Sequence, residues 1–69
     1  MKDIYPVTIT EIETNDEYSY IDLSNLKIFI DEFRNDLSEF VALTADGRKL
    51  LLSERILEAN DLSEFIESK

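Results

Sequence analysis

The side chains of this chain that could do chemistry are carboxylates and phenols. Sixteen of the 69 residues are Asp or Glu, seven are Lys or Arg, and neither histidine nor cysteine is present, which gives a net charge of −9. Imidazole and thiolate groups do most nucleophilic and acid–base catalysis near neutral pH, so few catalytic candidates are left. We therefore predict a binding protein without enzymatic activity, cofactor or metal site.

The acidic residues are concentrated in particular segments. Residues 1–23 carry six acids and one lysine, and residues 54–69 carry five acids and two basic residues. Glu11 and Glu13 fall on one face of a predicted strand. Along a predicted helix, a row of like charges is spaced at four and three residues, where they repel: Glu32, Asp36 and Glu39. We predict that the partner-binding residues are Glu11, Glu13, Asp16, Glu17, Tyr18, Tyr20, Glu32, Asp36 and Glu39.

The charge also indicates which partners the chain can bind. A strongly negative surface repels nucleic acids and anionic membranes over a Debye length of roughly 8 Å, and it attracts basic protein surfaces. We therefore expect no direct binding to nucleic acid or membrane. The expected partner is another protein with a basic surface, such as a nucleic-acid enzyme. Carboxylates could stand where a nucleic acid presents phosphates, and Tyr18 and Tyr20 could add stacking or apolar contacts.

In size and charge the chain is similar to phage-encoded DNA mimics such as anti-CRISPR proteins and inhibitors of uracil-DNA glycosylase, although it shares no motif with them. The likeness implies an inhibitor that blocks a basic nucleic-acid-binding cleft in a phage or bacterial setting. The chain has no apolar run near the roughly 20 residues of a membrane span, and its N-terminus has no signal-peptide core. With no cysteine, a cytoplasmic location is expected.

A second hypothesis assigns the acids to solubility alone. The chain would then be a small protein–protein adaptor or regulatory subunit, with a homodimer as one form, and its contact surface would be apolar. Ile28 lies off the predicted apolar stripe of its helix, which makes it a candidate contact residue together with the outward faces of the hairpins. Binding that weakens steeply with salt would favour the inhibitor, and binding insensitive to salt would favour the adaptor.

The first element expected to position these residues is an antiparallel hairpin over residues 4–23. Residues 5–13 alternate between apolar and polar side chains, with Val7 and Ile9 on one face and Thr8 and Thr10 on the other. Residues 14–16 supply turn chemistry, and residues 17–23 alternate again.

A helix is predicted over residues 24–40. Ser24 or Asn25 can cap its start, because a short side-chain oxygen satisfies a backbone donor that has no partner inside the helix. Apolar residues then recur at three- and four-residue spacing, which predicts one buried face. Its members are Leu26, Phe29, Ile30, Phe33, Leu37 and Phe40 or Val41.

A second hairpin is predicted over residues 41–53 and a second helix over residues 54–67, although Asn60-Asp61 could instead start a shorter helix. Asp46-Gly47, between two apolar runs, predicts a two-residue turn that sets Leu43 opposite Leu50 and Val41 opposite Leu52, both pairs facing the core. The sequence as a whole predicts one compact α+β domain over residues 1–69 in the order ββαββα. Its antiparallel hairpins would pack against two helices.

A segment of seven residues occurs twice in nearly the same form, at 35–41 and 60–66. Asn-Asp-Leu-Ser-Glu-Phe is followed by Val in the first copy and by Ile in the second. Asp with Glu three residues later resembles a helix-capping box, and the Leu and Phe would supply core contacts. The other interpretation is a docking motif present in two copies on a bivalent protein.

Overall fold

The structure is a computed structural model that describes residues 4–67, and it contains a four-stranded antiparallel sheet and one α-helix. The predicted α+β class is therefore confirmed. None of the helices within 4–67 is long and apolar enough to cross a membrane. In chain order the elements are β1 (Val7–Glu11), β2 (Glu17–Tyr20), α1 (Leu23–Glu32), β3 (Phe40–Leu43) and β4 (Lys49–Leu50), with short 3-10 turns at Leu37–Glu39, Glu54–Glu58 and Ser63–Phe65.

The first strand lies in the interior of the sheet, whose strand order is β2-β1-β3-β4. The predicted first hairpin is present, with Val7 opposite Tyr20 and Thr10 opposite Glu17. On its other side β1 pairs antiparallel with β3, so that Glu11 lies opposite Phe40. The β-branched residues of β1 are compatible with a strand that has a neighbour on each side.

The core lies between one face of the sheet and α1. Val7 and Ile9 are fully buried, as their alternation predicts. Phe29 of α1 is the centre of an aromatic cluster, with ring centroids 4.9 Å from Phe33 and 5.1 Å from Phe40. The buried apolar residues are Val7, Ile9, Leu26, Phe29, Ile30, Phe40, Ala42, Leu50, Ile56, Leu62 and Phe65.

The helix spans Leu23–Glu32 and is therefore shorter than the predicted 24–40. Its N-cap is Asp22 rather than Ser24 or Asn25, since an Asp22 carboxylate oxygen accepts a 2.9 Å hydrogen bond from the backbone N–H of Asn25. The chain leaves the helix at Phe33 and reaches β3 by Phe40. The predicted continuation over 33–40 is wrong, because Leu37–Glu39 form a 3-10 turn and Phe40 is extended where it pairs with β1.

The second hairpin has a different register from the predicted one. Leu43 lies opposite Lys49 and Ala42 opposite Leu50. The Gly47 N–H donates to the Thr44 C=O at 2.9 Å, and Gly47 alone in the turn has a positive φ, of 87°. The loop is therefore a three-residue turn closed by a left-handed glycine, and not a two-residue turn in which both central residues need positive φ.

This shift of one residue changes which side chains enter the core. In an antiparallel strand such a shift exchanges the two faces. Val41 and Leu43 are 42% and 48% exposed, whereas Ala42 and Leu50 are buried. The predicted core pairs Leu43 with Leu50 and Val41 with Leu52 are wrong.

The predicted C-terminal helix over 54–67 is also wrong. Two 3-10 turns occupy this segment, and Ala59 between them is extended, with φ −89° and ψ 151°. Beyond the second turn the chain joins the sheet edge, because Leu51 N–H donates to Phe65 C=O at 2.7 Å and Glu67 N–H donates to Lys49 C=O at 2.9 Å. These long-range hydrogen bonds override a local helical periodicity, which is a weak determinant of structure.

The two copies of the repeated segment have related structures. Each contains a 3-10 turn followed by extended backbone, and each places its phenylalanine, Phe40 or Phe65, in the core. In the second copy the Asp61 carboxylate, just before the turn, accepts hydrogen bonds from the Ser63 backbone N–H at 2.9 Å and hydroxyl at 2.7 Å. Asp36 makes no such bond. The core role of the phenylalanines supports the structural interpretation of the repeat.

Candidate functional site

Within residues 4–67 three glutamates lie close together, and we call them the acidic end: Glu11, Glu13 and Glu39. Glu11 ends β1, Glu13 lies in the following turn, and Glu39 lies in the 3-10 turn before β3. The Ile12 N–H donates to the Glu39 C=O at 3.0 Å and joins the two segments. One carboxylate oxygen from each glutamate lies within 4.8 Å of the others. The topology thus brings together acids that are distant in sequence.

The turn that carries Glu13 is held by its own hydrogen bonds. The Glu11 side chain accepts a 3.2 Å bond from the Thr14 hydroxyl, which also accepts one from the Asp16 N–H at 3.2 Å. The Asn15 N–H donates to the Glu11 C=O at 2.8 Å, and Asn15 takes the left-handed conformation with φ 64°. Asparagine tolerates this conformation better than most residues. The sequence at the turn therefore fixes the position of Glu13 relative to Glu11.

No basic side chain neutralises the acidic end within the described part of the chain. The ion pairs there are Arg34 with Asp31, Arg48 with Asp46 and Arg55 with Glu64. Glu13 and Glu39 are exposed and Glu11 is half-buried. The three charges are therefore available to a partner.

Asp16 and Glu17 extend the acidic surface onto β2. Both are exposed. Glu17 lies directly opposite Thr10, so its side chain is on the face of the sheet away from α1, whereas Tyr18 points to the face of Ile9. The predicted acids of the hairpin thus lie on both faces of the sheet.

A separate group of predicted partner-binding residues lies at α1 and consists of Tyr18, Tyr20 and Glu32. Tyr20 packs against Phe29 with ring centroids 5.5 Å apart, and Tyr18 is 41% exposed. Burial raises the pKa of the Tyr20 hydroxyl, and the nearby Tyr18 and Glu32 raise it further. The phenol of Tyr20 is therefore held neutral, and it can donate or accept a hydrogen bond at the surface.

The predicted helical row of Glu32, Asp36 and Glu39 does not exist. Because α1 ends at Glu32, Asp36 lies in the following turn, where its N–H donates to the Phe33 C=O at 2.8 Å. Glu39 belongs to the acidic end. Asp36 is exposed and joins neither group.

One exposed apolar residue lies within the acidic end, on the outward hairpin face that the adaptor hypothesis names as a contact surface. Ile12 is 56% exposed, and it lines a shallow pocket with Glu13, Ser38 and Glu39. Its position on the non-core face of the first strand was the available signal. An exposed isoleucine between carboxylates is an arrangement that can bind a basic side chain and its apolar stem together.

A second surface feature is a groove between β2 and α1, which we call the edge groove. It has a volume of about 400 Å³ and is lined by Ser19, Tyr20, Ile21, Asn25 and Ile28. Ile21 and Ile28 are 70% and 65% exposed, the largest values among the exposed large apolar residues. The prediction that Ile28 lies off the buried face is confirmed. Ile21 was not singled out from the sequence.

The chemistry of the acidic end is electrostatic. Carboxylate oxygens suit hard cations, but calcium takes roughly six to eight oxygen ligands. In this structure one oxygen from each of the three glutamates comes within 4.8 Å of the others, and two of the glutamates are exposed. The absence of a metal site and of catalysis stays a prediction.

Comparison of the chain with models of known protein families, with curated proteins and with solved structures finds no match. Its function is therefore inferred from the charge, geometry and exposure of its own side chains.

Proposed function

We propose that this chain is a non-catalytic inhibitor whose acidic end occupies the basic nucleic-acid-binding surface of another protein. The observation that carries the proposal is the spacing of Glu11, Glu13 and Glu39, whose carboxylate oxygens lie within 4.8 Å of one another. Duplex DNA presents closely spaced phosphates to its binding proteins, at one charge per roughly 1.7 Å of helix axis. The acidic end likewise presents several negative charges close together to a basic cleft.

Apolar and aromatic side chains beside the acids support the same proposal. Ile12 lies within the acidic end and is exposed, as is Tyr18 on the neighbouring strand. Binding energy at protein interfaces is concentrated in a few apolar or aromatic residues, and charges around them mainly raise the association rate and the specificity. Ile12 would contribute binding energy, and the carboxylates would make the binding specific for a basic partner.

The test begins with capture of partners from lysate of the source cell, or of its host, with washes at low and high salt. A basic nucleic-acid-binding protein that is lost at high salt is the expected partner. Its affinity should then fall at least about tenfold for the double variant Glu13→Gln, Glu39→Gln, because losing two charge contacts of about 1 kcal/mol each would exceed that factor.

The matched control is Glu54→Gln with Glu58→Gln. It changes the net charge by the same amount at two exposed residues outside the acidic end. Equal loss of affinity in both double variants would mean that net charge alone drives binding and would contradict the proposed site. Unchanged affinity in the first double variant would contradict it as well.

A second candidate function is a protein–protein adaptor or regulatory subunit, alone or as a homodimer. The observation that favours it is the exposure of Ile21 and Ile28, which suit an apolar contact. A partner retained at high salt would support this function. We also propose a cytoplasmic location and no catalytic activity, supported by the absence of cysteine and histidine from the sequence.

A further inference from the structure

We infer that the outer edge of β2 and the edge groove bind an extended basic segment of the partner, which adds to the sheet as a fifth strand. This inference rests on the proposed function, because it assumes a basic partner. It names the part of the partner that is bound and the way in which it is bound. Strand addition of this kind combines backbone hydrogen bonds with pockets for alternate side chains.

The backbone of β2 has one side available for pairing. The Glu11 N–H donates to the Asp16 C=O at 2.9 Å, which sets the phase of the β1–β2 ladder. Because bonding direction alternates along an antiparallel strand, Tyr18 bonds toward β1, whereas Glu17 and Ser19 direct their backbone groups outward. Glu17 and Ser19 are exposed, as is Ile21 directly after the strand.

The two edges of the sheet differ in this respect. At the β4 edge, Leu51 donates to Phe65 and Glu67 donates to Lys49, so the C-terminal segment covers that edge. At the β2 edge, no backbone hydrogen bond outside the sheet involves Glu17, Ser19 or Ile21 in the part of the chain that the structure describes. A partner strand would therefore find only the β2 edge open.

The edge groove provides the side-chain pocket for an added strand. Asn25, Ile28 and Glu32 are three and then four residues apart on α1, so they form one row along the side of the helix. Asn25 and Ile28 line the groove together with Ile21, and Tyr20 also lines it. Every second side chain of an added strand points to the same face. Apolar side chains at those positions would contact Ile21 and Ile28.

Charge decides between a basic partner segment and a second copy of this chain. Glu17 lies on the edge itself, Asp22 caps the start of α1, and Glu32 ends the row on the helix. Lys27, the one basic residue of α1, lies about 140° around the helix from Glu32, since each residue turns about 100°. Pairing of two copies along this edge would bring the acids Glu17 and Asp22 of one copy near the same two acids of the other copy. Like charges across a strand pair are destabilising. A segment that alternates basic and apolar residues fits both the groove and its acidic surroundings.

The experiment uses the full chain and a synthetic peptide of four Lys-Val repeats. Titration followed by amide NMR should shift and protect Glu17, Ser19 and Ile21. A peptide of the same sequence with alternate backbone nitrogens methylated should bind at least about tenfold more weakly, because two or three backbone hydrogen bonds are lost.

A pair of variants with equal charge tests the groove. Ile28→Glu should weaken binding of the Lys-Val peptide, because the added carboxylate removes the apolar contact. Leu43→Glu changes another exposed residue, on a different strand, by the same charge and should leave binding unchanged. Ser19→Pro should also weaken binding, because it removes an outward donor and proline is tolerated at a sheet edge. Circular dichroism of each variant confirms that it is folded.

Several outcomes would overturn strand addition. One is binding that is equal for the methylated and unmethylated peptides. Another is binding lost with Glu13→Gln and Glu39→Gln but kept with Ile28→Glu, which would place the basic segment on the acidic end and leave the proposed inhibitor function intact. A third is protection of Ser19 without peptide together with sedimentation as a dimer, which would assign the edge to a second copy. Peptide binding at β2, with no basic protein captured from lysate, would support the edge site and contradict the inhibitor function.

Discussion

Replacement of Phe29 by alanine should remove a large part of the stability of this chain. The Phe29 side chain is 3% exposed, and its ring centroid lies 5.5 Å from that of Tyr20, 4.9 Å from that of Phe33 and 5.1 Å from that of Phe40. It therefore joins α1 to both β2 and the start of β3. A cavity at this position would be bordered by three rings that belong to different elements.

The size of the effect follows from burial. Phe→Ala in a core costs about 3–5 kcal/mol, whereas a domain of this length has a total stability of about 3–10 kcal/mol at the usual stability per residue. The alanine variant should thus be marginally folded or unfolded. Phe29→Leu keeps most of the apolar volume and loses mainly the ring contacts, so we expect a loss of about 1–3 kcal/mol.

The assay is urea unfolding followed by far-ultraviolet circular dichroism and by tyrosine fluorescence, since the chain has three tyrosines and no tryptophan. Ile28→Ala is the matched control on the adjacent residue of the helix, which is 65% exposed, and it should change the free energy of unfolding by less than about 0.5 kcal/mol. A loss below about 1 kcal/mol for Phe29→Ala, or an equal loss for both alanine variants, would refute the central role of Phe29.

Three further predictions concern the second hairpin and Tyr20. Leu50→Glu should unfold the chain and Leu43→Glu should not, because Leu50 is 2% and Leu43 48% exposed; equal thermal unfolding temperatures would contradict the observed register. Gly47→Ala should cost about 1–2 kcal/mol in urea unfolding, because a Cβ at φ 87° is strained although no atom lies within 4 Å of it; an unchanged midpoint would count against the left-handed turn. Burial raises the pKa of Tyr20, so its contribution to stability is complete below the ordinary tyrosine pKa of about 10 and is lost as the pH rises through the folded-state value. Tyr20→Phe should reduce this alkaline loss in thermal melts, and an identical pH profile would contradict it.

The parts of the fold that the sequence predicts are those determined by near neighbours. The alternation around Val7 and Ile9 gives the correct buried face of β1, and the turn residues after Glu13 give the correct first hairpin. The helical periodicity from Leu26 to Ile30 gives the correct buried face of α1. In each case the signal lies within the helix, strand or hairpin that it determines.

The parts that it does not predict depend on contacts between distant residues. Apolar spacing continues past Glu32 and past Ser53 as it would in a helix, but pairing of Phe40 with Glu11 and of Ile66 with Leu50 requires extended backbone. The hairpin register depends on loop type, and Asp-Gly is compatible with both a two- and a three-residue loop.

The candidate site divides in the same way. Neighbouring glutamates at residues 11 and 13 can be grouped from the sequence. The approach of Glu39 to them follows from the β1–β3 pairing, and no local pattern contains it.

The interior position of β1 has a consequence for the order of folding. The bond from Glu11 to Asp16 closes a short loop, whereas the bond from Ile12 to Glu39 closes one about five times longer. At about 0.6 kcal/mol per doubling of length, the second closure costs about 1.5 kcal/mol more in chain entropy. We expect the first hairpin to form before β3 pairs with it, so that both edges of the hairpin are unpaired at that stage. Such edges promote aggregation, and charged residues on them oppose it. The acidic residues of this hairpin would then keep the incomplete sheet soluble until β3 and β4 pair.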